Sequence, residues 1–91
     1  MRIEHLSSPG CPNATASRQL LTDCVSALGL TESVVERVGP YPSPSVLIDG
    51  SDVMRPAYPP TGECCRLDLP TRVAVMAALR RALDRDAETR P

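Results

Sequence analysis

The run Ser45-Val46-Leu47-Ile48-Asp49-Gly50 constrains this chain more than any other stretch. A short apolar, β-branched run of this kind suits a buried strand. Asp-Gly suits a two-residue type I′ hairpin turn, whose central residues both need φ > 0. Pro44 in front can open a strand but cannot occupy its interior. The prediction is a core strand over 45–48 and a short antiparallel return over Asp52–Met54.

Ninety-one residues fit one domain. A chain of this size buries only about 60–65 % of its unfolded surface. Trp and Phe are absent and there are two tyrosines, so Leu, Val, Ile and Ala must build the core. A net charge of −1 gives no electrostatic reason to expect nucleic acid or a membrane surface as partner. No apolar run reaches the length of a membrane span, and the first ten residues, MRIEHLSSPG, do not read as a signal peptide. The expectation is a cytoplasmic protein whose four cysteines are thiols rather than staples.

Along the chain, Arg2–Leu6 reads as a first strand, with Ile3 and His5 on one face and Glu4 and Leu6 on the other. After a Ser-Ser-Pro-Gly loop and Cys11, a helix is predicted from Ala14 to Leu28, with Leu20, Leu21, Cys24, Val25 and Leu28 as its buried stripe and Gly29 as its stop. Ser33–Val38 fits a strand, because consecutive valines favour extended structure; a short helix capped near Thr31 is the alternative. Met54–Glu63, rich in proline, is irregular. Thr71 caps a last helix to about Leu83, with Val73, Met76, Ala77, Leu79, Ala82 and Leu83 facing inward. Residues 86–91 are expected to fray, leaving one domain over 1–85. The fold class is α/β: a β-α-β-β-β-α mixed sheet whose first β-α-β unit is parallel and whose Asp49-Gly50 hairpin is antiparallel.

The loop–Cys11–helix that follows the first strand, and Pro44 opening the third, resemble the thioredoxin-like fold, here in reduced form. That resemblance implies a cis-proline at Pro44 facing Cys11. Cys11-Pro12-Asn13-Ala14 stands where that family carries Cys-x-x-Cys, and no helix fits between Val38 and Pro44. GCPN, YPSPSVLIDGSDV and CCRLDLPT are in addition similar to short bacterial proteins labelled alkylmercury (organomercurial) lyases. Cys65-Arg66-Leu67-Asp68 reproduces the Cys-x-Leu-Asp spacing of the catalytic cysteine and aspartate of true organomercurial lyases. The resemblance implies a role in mercury resistance, with the metal as substrate and no resident cofactor.

Cys11 is the first candidate for chemistry. A thiol just before a helix meets unpaired N–H groups that favour the thiolate, and Pro12 suits the first turn. The plain alternative is a small loop residue. Cys64 and Cys65 are adjacent, and such pairs are poorly placed for a disulfide with each other. Thiolates are soft ligands for thiophilic metals, so Cys11, Cys64 and Cys65 form the candidate mercury set. Asp68 is either a proton donor beside Cys65, which needs a pKa raised by burial, or a cap or turn residue near Pro70, the commoner role. Cys24 reads as core, His5 as a strand-end residue, Asp49 and Asp52 as turn residues, and Arg66 as solvated.

Three functions follow. In the first, Cys11 and Cys65 ligate mercury and Asp68 protonates the leaving carbon of an organomercurial, with metal binding without turnover as a milder form. In the second, Cys11 acts as a redox thiol, alone or resolved by Cys64 or Cys65. Its substrate is then a small thiol or a redox partner protein, held extended along the strand edge at Pro44. In the third, the fold is a binding domain without chemistry.

Overall fold

The computed structural model describes residues 1–57 and 62–89. Its elements are β1 (Ile3–Ser7), α1 (Ala14–Ala27), β2 (Val34–Val38), β3 (Pro42–Ser43), β4 (Ser45–Ile48), β5 (Ser51–Asp52), β6 (Cys64–Cys65) and α2 (Arg72–Thr89). The main sheet has the order β2-β1-β4-β5. β1 lies parallel to β2, from Ile3↔Val34 to Ser7↔Val38, and antiparallel to β4, from Ile3↔Ile48 to Leu6↔Ser45. The chain is therefore a mixed α/β fold in which a parallel β-α-β half meets an antiparallel hairpin half along β1.

The hairpin is the one the sequence calls for. Ile48 pairs with Ser51, so Asp49-Gly50 is a two-residue loop, and both residues have positive φ, 52° and 84°. The return strand is Ser51–Asp52, slightly earlier than expected. The Ser43–Pro44 peptide is cis, as the resemblance implies.

Register assigns the two faces of the sheet, because residues directly opposite each other share a face. Ile3, His5, Val46 and Ile48 share one face, and both helices pack there. Leu21, Cys24 and Val25 of α1 and Val75, Ala78, Leu79 and Ala82 of α2 close one apolar core against Ile3, Val46 and Ile48. Glu4, Leu6, Ser45, Leu47 and Asp52 share the other face and are also buried. Their cover is polar: Arg66 lies on Ser45 and Asp52, and Arg2 and Arg37 reach Glu4 at 2.9 and 3.0 Å.

Four expectations are corrected. The inward face of α2 is rotated. Val73, read as inward, is 81 % exposed, whereas Val75 and Ala78 are buried beside Leu79 and Ala82. An apolar count cannot separate the stripes Val73-Met76-Ala77 and Val75-Ala78-Leu79-Ala82 when alanine fills most positions. Second, α2 does not stop near Leu83 but runs to Thr89, with Asp86 paired to the amino terminus at 3.5 Å; residues 90–91 of the expected tail lie outside the described residues. Third, a second, two-stranded sheet exists: β3 and β6 pair in parallel, Pro42↔Cys64 and Ser43↔Cys65. A two-residue strand leaves no period to read in sequence. Fourth, α1 starts at Ala14 with Asn13 as its N-cap, so Pro12 precedes the helix rather than forming its first turn. The irregular Met54–Glu63 segment lies outside the described residues over 58–61.

Candidate functional site

The register of β1 against β4 gathers most of the candidate residues at one end of the sheet. Leu6↔Ser45 is the last pair, so the end of β1 and the start of β4 coincide. Cys11 follows β1 through a turn in which its N–H donates to Ser8 O at 3.2 Å and its carbonyl accepts from Ala14 N–H at 3.3 Å. Pro44 opens β4 at the same end, and β6 brings Cys64 and Cys65 alongside Pro42 and Ser43. All four cysteines are free. Cys64 and Cys65 are exposed, Cys11 is half-buried and Cys24 is buried. Burial pushes the Cys24 thiol above its ordinary pKa, as its core role requires.

The three candidate ligands do not form one preassembled set. Among the described residues, no group of three or more His, Cys, Asp or Glu side chains is placed to hold a metal ion. Strand geometry supplies a reason for Cys64 and Cys65, because successive strand residues point to opposite faces. Cys65 shares its face with Ser43, and Cys64 shares its face with Pro42. The adjacent pair is therefore split between the two faces of the strand. The Ser43 hydroxyl is fully buried and has no hydrogen-bond partner among the described residues.

Arg66, read as solvated, is the anchor of this end. It is buried, and its backbone N–H donates to Ser43 O at 2.9 Å, which continues the β3–β6 pairing. Its guanidinium donates to both oxygens of Asp68, at 3.1 and 2.6 Å, to the buried Asp52 carboxylate, and to Ser45 Oγ at 2.8 Å. Ser45 Oγ in turn donates to Pro42 O at 2.6 Å. Asp52 Oδ1 also accepts from the N–H groups of Met54 and Arg55, at 2.9 and 3.2 Å, so its expected turn role is present beneath the ionic one. One side chain thus ties the cysteine strand to β4, to β5 and to its own following loop. Hydrogen bonds to the two carboxylates raise the Arg66 pKa further. The sequence holds no periodic signal for this cluster; the two aspartates around an Arg-x-Asp segment were the available hint.

Asp68 does not fit the part of proton donor. Its carboxyl is held down to a pKa of about 2, first by the hydrogen bonds from Arg66, with Arg55 adding a 2.8 Å ion pair. A general acid beside Cys65 needs a pKa shifted the other way. It is not the cap of α2 either; that is Thr71, whose Oγ1 accepts from Ala74 N–H at 3.2 Å. Asp68 is a structural acceptor for Arg66.

His5, read as a strand-end residue, is instead central and fully buried. Its Nδ1 lies 3.1 Å from Glu36 Oε2 and its Nε2 lies 3.1 Å from Ser17 Oγ. A carboxylate only accepts, so the neutral ring donates from Nδ1 and accepts the Ser17 hydroxyl at Nε2. Burial lowers the His5 pKa, against the pull of Glu36. Arg18 completes the chain to Glu36 at 2.8 Å. The network ties α1 to β1 and β2. Its sequence signal was the placement of His5 on the same face as Ile3, which made the histidine face the helix layer.

Family models, curated proteins and solved structures yield no match to this chain. Among the described residues no helix is long and apolar enough to cross a membrane.

Proposed function

We propose that this chain is a thiol protein on a reduced thioredoxin-like scaffold that captures a soft, thiophilic metal ion, with Hg(II) as the substrate that the sequence resemblance names. The scaffold reading is supported by a parallel β-α-β half joined to an antiparallel hairpin and final helix, with Cys11 after the first strand and Pro44 before the third sheet strand. The observation that supports the functional reading is strand order: Cys11 follows the end of β1, and the exposed Cys65, 54 residues later (65 − 11), pairs beside Ser43, just ahead of β4, whose first residue pairs with the end of β1. Two thiolates from distant segments suit a soft ion. Cys64, on the opposite strand face, is the less suited of the pair. Asp68 is ionised and clamped, so the proposal is capture; carbon–mercury protonolysis would need a different acid.

The test is titration of reduced protein with Hg(II), following the thiolate-to-mercury charge-transfer absorption. One ion per chain is expected, with loss of the high-affinity phase in Cys11→Ser and in Cys65→Ser and its retention in Cys64→Ser and Asp68→Asn. An unchanged titration in both Cys11→Ser and Cys65→Ser refutes the proposal. The redox alternative rests on the same Cys11. It would show instead as a stable mixed disulfide at Cys11 with small thiols, and no gain from Cys65.

A further inference from the structure

A second feature lies away from the cysteines. At the β5 edge of the sheet, the hairpin and α2 leave an open cleft of about 230 Å³, lined by Ile48, Val53, Pro56 and Ala78 and edged by Ser51, Asp52, Arg81 and Arg85. The lining is apolar on its floor and cationic on its α2 side. Arg81 and Arg85 are one helical turn apart, so their side chains reach the same mouth. Arg81 has no ion-pair or hydrogen-bond partner among the described residues, and Arg85 has only a 3.4 Å contact with Asp49. That aspartate is held more closely by the Arg2 N–H at 2.6 Å. Asp52 does not cancel this charge. Its carboxylate is occupied by Arg66 and by the N–H groups of Met54 and Arg55. The mouth is therefore net positive over an apolar floor.

We propose that this cleft binds a small amphipathic anion: a carboxylate carried on a compact apolar body. The body rests on Val53, Pro56 and Ala78, and the carboxylate lies between Arg81 and Arg85, whose guanidinium groups match its planar geometry. The volume is below the roughly 300–1,000 Å³ of sites for drug-sized ligands, which limits the occupant to a small molecule.

Benzoate is a suitable probe, with acetate supplying the head without the body and benzylamine supplying the body with the opposite charge. Amide chemical shifts of the whole protein are followed during each titration. Benzoate is expected to bind saturably, with shifts concentrated on Ile48, Ser51–Val53 and Ala78, and at least tenfold more tightly than acetate or benzylamine. The double variant Arg81→Gln/Arg85→Gln, at two exposed positions, is expected to keep the wild-type melting temperature and bind benzoate at least tenfold more weakly. Equal binding of benzoate and benzylamine, equal binding of benzoate and acetate, or undiminished binding in the folded double variant would each overturn the assignment.

Discussion

Arg66→Met tests the anchor at the cysteine end. The substitution keeps a long apolar stem but removes every donor that Arg66 presents to Asp52, Asp68 and Ser45. Asp68 is partly open to water and can be solvated, but Asp52 is only 3 % exposed and cannot. Breaking a buried pair by removing one partner costs roughly 3–5 kcal/mol, because a buried charge is left uncompensated. A domain of this length has about 5–14 kcal/mol of total stability, so Arg66→Met should remove roughly a fifth or more of it. For a domain this small that corresponds to a fall in Tm of about 12–40 °C. Urea denaturation measures the loss directly. The double variant Asp52→Asn/Arg66→Met separates charge from packing. The asparagine Oδ1 still accepts from Met54 and Arg55 N–H, while no charge remains buried, so at least half of the lost stability should return. A loss below about 1 kcal/mol in Arg66→Met, or a double variant no better than the single, would refute the anchor.

The other expectations are more local. Asp68 should titrate near pH 2 by carboxyl chemical shift; since its folded pKa lies below the ordinary 3.8, the stability it contributes is present above about pH 4 and lost as pH falls toward 2. A midpoint near 4 would contradict the clamp. His5 has a folded pKa below 6.5, so the stability tied to its neutral form is complete above that pH and declines as pH falls beneath it; urea midpoints at pH 7.5 and 5.5 should differ less in His5→Gln than in the wild type, and an equal difference would contradict the buried neutral ring. Gly50→Ala places a side chain at φ 84° with Arg2 Nη2 only 3.3 Å from its Cβ, and should cost about 1–2 kcal/mol in the same assay; a neutral result would remove the hairpin argument. Alkylation should reach Cys64 and Cys65 first, Cys11 next and Cys24 last, following exposure; early labelling of Cys24 would mean that α1 faces the wrong way.

Local signals made much of this fold legible. The Asp49-Gly50 turn, the apolar run before it, the stripe Leu21-Cys24-Val25 and the two valines that start β2 each carry a pattern that one mechanism explains. The rest was decided by tertiary contact. β3 and β6 are two residues each and exist because their backbones meet. The alanine-rich α2 offers two near-equivalent stripes, and packing against Ile48 and Val53 selects one. Arg66 and His5 were read as a surface charge and a strand end because each finds its partners 12 to 31 residues away, apart from Asp68. Strand order alone places Cys11 after β1 and Pro44 at the start of β4, and the β3–β6 pairing sets Cys65 beside Ser43. The Arg66–Asp68 clamp was not legible, because sequence spacing to Cys65 says nothing of the arginine between them.

The most direct test of soft-ion capture is thermal unfolding of the reduced protein with and without Hg(II), in the wild type and in Cys11→Ser and Cys65→Ser. An ion held between two distant segments of the folded chain stabilises that state by mass action, about 2.7 kcal/mol at a hundredfold excess over Kd. In a domain of this size the wild-type Tm should rise by roughly 10–20 °C, and each single serine variant should lose the rise. A wild-type Tm that does not move, or a rise that survives in both variants, would contradict the claim that Cys11 and Cys65 act together.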